Sequence, residues 1–340
     1  MTGRRNLSRA FIDRAGWETA HRCPLAGDAS NRKYDRLTWT ETGETAVLMD
    51  ADPALGEDVR PFVVVARYLQ ATGLSPPRIL AEALDDGFLL LEDLGDALFV
   101  RLMAQNPDFQ MPLYTAATDA LVQLHRHPAL PLALYSPPVM TDLAALAYDK
   151  YRVAVAGSAD GRDGFVTAFE PLLALTQDTK PVLIQRDYHS ENLIWLSERE
   201  GPARVGLLDF QDAMIGHPAY DLVSLLQDAR RDVPKEIETK MISHFMNLAG
   251  YAAESFVRDY ALLGVQRSLR ILGVFARLAT DYGKLGYIDL IPRVWNYLLR
   301  NLRHPIAVEL SGSILSDLPT PTPDVLDRIR AACRPISPTP

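Results

Sequence analysis

Three oxygen-bearing side chains stand close together near the middle of the 340-residue chain. Asp187 and Asn192 occur in Gln185-Arg186-Asp187-Tyr188-His189-Ser190-Glu191-Asn192, and Asp209 opens Asp209-Phe210-Gln211-Asp212. Short apolar runs at residues 181–184, 192–196 and 203–208 read as strands, which puts the three at strand ends or tight turns. Carboxylate and carboxamide oxygens there suit Mg²⁺, a hard cation that takes oxygen ligands and keeps several waters. A single Asp or Asn in a loop is ordinarily a cap or turn former. The three in this order, each beside an apolar strand, point instead to chemistry: Asn192 and Asp209 to hold the metal, and Asp187 to hold or deprotonate a hydroxyl. Transfer of a phosphoryl group to that hydroxyl needs little more from a protein. His189, two residues past Asp187, is placed to donate to the transferred group, although a lone loop histidine is ordinarily just solvated.

These turns need a scaffold. Residues 6–17 carry Leu7, Ala10, Phe11 and Ala15 at helical spacing and predict a short amphipathic helix. Residues 22–50 have the texture of a β-hairpin, with turns at 27–30 and 42–44, a strand to Trp39 and a strand at 46–49. Pro61 then opens a helix that Gly73 stops. Phe88-Leu89-Leu90-Leu91 reads as a buried strand running into Glu92-Asp93-Leu94-Gly95. From Leu98 the pattern turns mainly helical, at 113–125, 143–155 and 165–175, and again from Tyr220, at 235–248, at 254–282 with a break, and at 292–302. The expectation is an α+β chain. Residues 1–95 form a β-rich part with a connection at 92–95, residues 96–312 a helical part, and residues 313–340 a loosely held, proline-rich tail around one short helix.

Composition narrows the classes. Hydrophobic residues at 48% and charged residues at 23% exclude a disordered chain. A net charge of −8 argues against a general binder of nucleic acid or anionic membrane. The two cysteines, Cys23 and Cys333, have no metal-like spacing and build no disulfide framework. No apolar run approaches the roughly 20 residues of a membrane span. The arginine-rich first 17 residues are unlike a secretory leader, so a cytoplasmic protein is expected. Only six lysines are present, which matters for any chemistry that requires one.

The spacing Asp-x₄-Asn followed by an Asp-Phe pair is that of the catalytic loop and metal-binding turn of protein kinases. QRDYHSENL (185–193) and GLLDFQDAMIGHPAYDL (206–222) resemble the aminoglycoside phosphotransferase and choline kinase-like superfamily. Within it the chain is most similar to bacterial anomeric amino-sugar kinases, which phosphorylate the 1-hydroxyl of N-acetylmuramate and N-acetylglucosamine in cell-wall recycling. GDASNRKYDRL (27–37), VLMDADP (47–53), LLLEDLG (89–95) and ILGVFARLATDYGKLGYIDLIPR (271–293) support that likeness. The resemblance implies a bilobal protein-kinase-like fold, ATP and Mg²⁺ as cofactors, and a small hydroxylated acceptor. It further implies that Gly27, Asp28, Ala29 and Ser30 cover the nucleotide, that Glu92 and Leu94 belong to the hinge beside adenine, and that Asp221 braces the catalytic loop. Asp212, Arg270 and Arg277 are the candidates on the acceptor side. The two arginines are two helical turns apart and share a face, which suits a carboxylate or acetamido oxygen if that face is not simply solvated.

One departure stands out. Kinases ordinarily place a lysine on the third strand, paired with a glutamate on the following helix. Here the strand reads Val47-Leu48-Met49-Asp50 and the helix at 61–73 holds no acid. Arg32 and Lys33 are the nearest cations able to replace that lysine. The gap keeps a nucleotide-binding pseudokinase open as an alternative, although the complete Asp187, Asn192 and Asp209 set argues for turnover. An aminoglycoside kinase is the other alternative. It would line its acceptor site with carboxylates, whereas Arg267, Arg270, Arg277 and Lys284 surround Asp281 here.

Overall fold

The computed structural model describes residues 2–25 and 31–333. Gly27, Asp28, Ala29 and Ser30 lie outside the described residues. The chain divides into two compact units, Met1–His127 with Ser190–Ala213, and Pro128–His189 with Met214–Pro340.

The first unit begins with helix α1 (Thr2–Arg14). Strands β1 (His21–Pro24), β2 (Lys33–Thr38), β3 (Thr45–Asp50), β4 (Ile79–Ala83) and β5 (Phe88–Glu92) follow, in an antiparallel sheet of order β1-β2-β3-β5-β4. Side chains alternate across a strand. Ala46, Leu48, Phe88 and Leu90 therefore share one face with Leu37 and pack on Phe11, Ile12 and Trp17. Val47, Met49 and Leu91 point to the other face, where they line a cavity. Helix α2 (Arg60–Ala71), with Pro61 in its first turn, buries Phe62, Val63, Val65, Ala66 and Leu69. Helices α3 (Phe99–Gln105) and α4 (Gln110–His125) complete the N-terminal stretch.

The second unit starts with α5 (Pro137–Leu146), a π-helical turn at Ala147–Arg152, α6 (Val153–Ala156) and α7 (Arg162–Ala174). Strand β6 (Val182–Ile184) belongs here. The hairpin of β7 (Leu193–Trp195) and β8 (Val205–Leu207) belongs to the first unit, and β9 (Met214–Gly216) returns to pair antiparallel with β6. Helices α8 (Ala219–Leu226), α9 (Lys235–Ala249), α10 (Ala253–Tyr282), α11 (Ile291–Leu302), α12 (Val308–Asp317) and α13 (Pro323–Ala331) follow. No described helix is long and apolar enough to cross a membrane.

Several expectations need revision. Strand β1 escaped the sequence reading because it is an exposed sheet edge, and β4 because its inward residues Ile79, Ala81 and Ala83 are only half-buried, with Leu80 exposed between them. The helix expected over 143–155 is interrupted by the π turn, which aims Tyr148 and Tyr151 at the C-terminal segment. Tyr151 Oη donates to Pro319 O (2.6 Å) and Arg152 Nε to Asp317 O (2.9 Å). Together with buried Ile329 and an Arg330–Asp289 ion pair at 2.6 Å, these contacts fasten the segment expected to be loose. Residue 313, the expected start of the tail, falls inside α12. Compactness also groups residues 96–127 and the β7–β8 hairpin with the sheet, not with residues 128–312. Trp195 N–H bonds to Ala97 O at 2.8 Å and Leu207 N–H to Ser75 O at 2.9 Å.

Helix α10 runs 30 residues without the expected break. Its interior glycines are approach points: a Cβ at Gly273 would run into the backbone of Leu146, and one at Gly264 into the Asn301 amide. Glycine inside a helix is normally worse than alanine by roughly 0.5–1 kcal/mol, so here close packing decides the sign. Gly273→Ala is expected to destabilise by about 1–3 kcal/mol. Gly286→Ala, which meets nothing within 4 Å, should stay within about 0.5 kcal/mol of the parent. Urea unfolding of the two variants checks this, and equal stability would show that α10 and α5 can separate freely.

Candidate active site

In the second unit, β6 ends at Ile184 and the chain turns through Gln185, Arg186 and Asp187. The turn is pinned by Asp221 in the first turn of α8, whose carboxylate accepts the Gln185 N–H at 2.6 Å and the Arg186 N–H at 2.9 Å. Arg186 has a left-handed backbone (φ 72°), and Asp209 (φ 55°) is the other such non-glycine residue among those described. Left-handed backbone in a side-chain-bearing residue is held only where the surroundings over-determine it, and it gathers at functional sites. At Arg186 the restraint is complete: Asp221 holds its N–H, and Arg267 Nη1 donates to its carbonyl at 2.8 Å.

Helix α8 is itself anchored. The His217 ring accepts the Ala219 N–H on Nδ1 (3.1 Å), so its Nε2–H donates to buried Asp259 of α10, also at 3.1 Å. Burial pushes the Asp221 carboxyl up to about 6, against the pull of the two backbone N–H groups and Arg267. At neutral pH it is therefore the ionised acceptor the turn requires.

Asp187 keeps 34% of its side chain exposed, enough to meet a hydroxyl. Enclosure alone would push its carboxyl up, but the guanidinium groups of Arg270, Arg267 and Arg186 hold it below the usual carboxylate range. Arg267 Nη2 stands 4.0 Å from Asp187 Oδ1. Arg270 donates to Tyr220 Oη at 3.1 Å. His189, expected either to donate to the transferred group or to be solvated, is buried. Burial pushes its imidazole down to about 4, and Arg230 Nη1 donates to Nε2 at 3.3 Å, which places the ring proton on Nδ1. It is neutral at pH 7.

The first unit carries Asn192 and Asp209, the residues expected to supply oxygen ligands. Asn192 closes a short 3₁₀ turn (Ser190–Asn192) ahead of β7, and Asp209 follows β8 by one residue. The Asn192 Nδ2 donates to Asp209 Oδ2 at 3.4 Å, and Gln211 Nε2 donates to Asp209 Oδ1 at 2.6 Å. Phe210, fully buried, stacks on Phe62 of α2 with ring centroids 4.7 Å apart, which keys the turn to the helix.

A cavity of about 340 Å³ opens beside Asn192 and Asp209, with apolar walls from Val47, Met49, Leu91, Leu94 and Leu208 and with Glu92 at its polar end. Glu92 is fixed there by Arg199 at 2.7 Å and Arg78 at 3.2 Å. The described residues include no cluster of three His, Cys, Asp or Glu able to hold an ion. The carboxylate and carboxamide oxygens of Asp209 and Asn192 nevertheless fit a hard cation that draws its remaining ligands from water and phosphate.

Of the sequence-predicted residues that the structure describes, Asp187, His189, Asp221, Arg270, Asn192, Asp209, Glu92 and Leu94 fall beside one of these two centres. Arg277 does not: its charge acts on Asp281, not on Asp187. Seven residues place Arg270 and Arg277 on one face but about 10 Å apart along the axis. Arg267 was missed as a site residue, although its i, i+3 relation to Arg270 was the available signal. Arg230 and Gln211 were missed for want of any local pattern. Lys33 is exposed at the start of β2. Arg32 is instead paired with Glu57 at 2.9 Å, and Asp212, itself exposed, adds to the field on Arg32.

The pH dependence of stability follows from His189. Its folded pKa of about 4 lies below the unfolded value of about 6.5. Its neutral form therefore stabilises the fold fully above about pH 6.5, and that contribution is lost as pH falls towards 4. Asp221, raised, works in the opposite direction between about pH 4 and 6, but equally in a His189 variant. Between pH 7 and 5 the parent should therefore lose about 2 kcal/mol more than His189→Gln. Parallel thermal midpoints against pH for the two proteins would show that His189 titrates as a solvated group.

Comparison with known proteins agrees with this chemistry. Residues 21–258 match the APH family, described as the phosphotransferase enzyme family. The N-acetylmuramate/N-acetylglucosamine kinase of Caulobacter vibrioides is 37% identical over 343 residues, 89% of this chain and 93% of that protein. The protein of the same name from Pseudomonas aeruginosa is 34% identical over 319 residues, 89% of this chain and 91% of its own length. Among solved structures, a choline/ethanolamine kinase family protein from Mesorhizobium loti shares the fold. Its TM-score is 0.61 at 15% identity, and the match covers 96% of this chain and 99% of that one. The α+β architecture is thus the kinase-like one, with Asp187, Asn192 and Asp209 all inside the matched span. The chain belongs to the phosphotransferase enzyme family.

Proposed function

We propose that this phosphotransferase is an ATP- and Mg²⁺-dependent kinase of N-acetylated amino sugars, acting on the anomeric hydroxyl of N-acetylmuramate and N-acetylglucosamine. The observation that carries the reading is the state of Asp187. It is ionised by an arginine group, partly exposed, and set four intervening residues ahead of Asn192, whose amide meets Asp209.

The residues divide the work. Asp187 accepts a hydrogen bond from the acceptor hydroxyl and takes its proton as the oxygen bonds to the γ-phosphorus and the bond to the bridging oxygen of ADP breaks. Asn192 and Asp209 would hold Mg²⁺, which would neutralise charge on the phosphates. Gln211, by donating to Asp209 Oδ1, fixes the orientation of that carboxylate. The apolar walls of the 340 Å³ cavity and the backbone near Glu92 and Leu94 suit an adenine ring. Arg267 and Arg270, besides ionising Asp187, make its surroundings electropositive. That suits a lactyl carboxylate or an acetamido oxygen better than a polycation. The printed names of the relatives support the same acceptor class. An amino sugar with a free anomeric hydroxyl would be supplied by a hydrolase that cleaves glycosidic bonds.

Two substitutions separate the roles. Asp187→Asn should retain Mg-nucleotide affinity while kcat falls roughly 10²–10⁴-fold, read by coupled ADP release and by phosphorus NMR of the sugar phosphate. Asp209→Asn should instead abolish the enhancement of ATP affinity by magnesium in a calorimetric titration. Equal loss of binding and rate in the Asp187 variant would remove it as the base. A parent protein that binds ATP but phosphorylates neither sugar would overturn the acceptor assignment.

A further inference from the structure

The third strand of the sheet presents no cation to the cavity. Val47 and Met49 are its cavity-facing residues, and Asp50, which ends it, is engaged by Arg4 of α1 at 2.6 Å. Helix α2 carries no acid along its length. A kinase site in which strand and helix contribute neither half of the usual ion pair must anchor its phosphates differently.

We infer that Arg32 is the phosphate-anchoring cation of this enzyme and that Glu57 is the residue that positions it. This rests on the kinase reading above. Arg32 immediately precedes β2, and Glu57 lies three residues before α2, so the pair ties a strand end to the approach of the helix, the mechanical link made elsewhere by lysine and glutamate. Arg32 Nε stands 2.9 Å from Glu57 Oε2, and both side chains are only 14% exposed. Shielding of that degree distinguishes the pair from the solvated ion pairs of the surface, which contribute little. Engagement through Nε also fixes the plane of the guanidinium, a five-donor fork that matches phosphate geometry.

Its surroundings point the same way. Arg32 and Lys33 line a depression next to the 340 Å³ cavity, and Leu25 and Tyr34 are walls of both. Besides Glu57, the carboxylate whose field acts on Arg32 is Asp212, three residues beyond the proposed metal ligand Asp209. Lys33, next in the chain, is exposed. An arginine suits the position better than a lysine would, because a buried guanidinium stays charged whereas an ammonium is readily neutralised.

A purely structural ion pair is the competing account, and removing one partner of a shielded pair costs stability in either case. The informative variant is therefore the double substitution Arg32→Met with Glu57→Met, which leaves no uncompensated charge. Calorimetric titration of parent, Arg32→Met, Glu57→Gln and the double variant with Mg-ATP and with adenosine reads the contact directly. The expected result is a loss of about 10–100-fold in Mg-ATP affinity for Arg32→Met and the double variant, the range of one or two charged hydrogen bonds. Glu57→Gln should lose less, Arg32→Lys should recover part, and adenosine affinity should be unchanged throughout. In steady state the KM for ATP should rise and the KM for sugar should not. A double variant that is folded and binds Mg-ATP as tightly as the parent overturns the assignment while leaving the kinase reading intact. Failure of the parent itself to bind Mg-ATP would overturn both.

Discussion

A carboxylate that must take a proton from a hydroxyl has to be ionised, and the enclosure that excludes water opposes ionisation. The second unit is arranged around that conflict. Arg267 and Arg270 resolve it for Asp187, but a buried guanidinium itself needs partners. Arg267 spends one donor on the Arg186 carbonyl and stacks 5.6 Å above the Tyr220 ring. Arg270 donates to Tyr220 Oη, which meets Tyr135 Oη at 3.3 Å, and Gln266 donates to that same Tyr135 oxygen at 3.0 Å. Satisfying one charge therefore dictates the positions of α8 and α10 and of the segment before α5. It also explains why α10 must run unbroken, since Asp259, Gln266, Arg267, Arg270 and Gly273 all depend on its register.

The same logic holds the backbone. Left-handed geometry at Arg186 is unfavourable for a residue with a Cβ, and it persists because its N–H and C=O are both claimed, by Asp221 and Arg267. Asp221 can make those bonds only while ionised and only while α8 stays in place. The His217–Asp259 bond supplies that restraint from α10. Asp187 is thus positioned through main-chain bonds and charged through side chains of a single helix, so geometry and protonation state are set by one element.

In the first unit the cavity needs apolar walls on a sheet whose other face is already core. Alternation along β3 and β5 supplies them without exposing the hydrophobic face packed on α1. Cations are kept to the rim by acidic partners. Arg36 is held by Asp93 at 2.6 Å and Asp96 at 2.8 Å, and Arg32 by Glu57. Lysine is scarce throughout the chain, and guanidinium groups, which remain charged when buried, take its place.

Local information was enough for much of this. The spacing of Asp187, Asn192 and Asp209, the apolar runs that became β3, β5, β6, β7 and β8, and the helical periodicity of α2, α4 and α9 are short-range properties, readable from neighbouring residues. Edge strands β1 and β4 carried no such mark, because β1 is exposed along its length and β4 is only half-buried through Ile79, Ala81 and Ala83. Which arginine serves Asp187 depended on about 10 Å of helical rise between Arg270 and Arg277. The partner of Arg32 lies 25 residues away, outside any helix or strand pattern. The unbroken course of α10 depends on Leu146 and Asn301, remote in sequence, which fill the space beside Gly273 and Gly264. Residue types and spacing by themselves determined what chemistry the chain is equipped for. Only the tertiary structure decided which charges are paired, buried or ionised, because those depend on contacts between segments remote in sequence and on the water that folding removes.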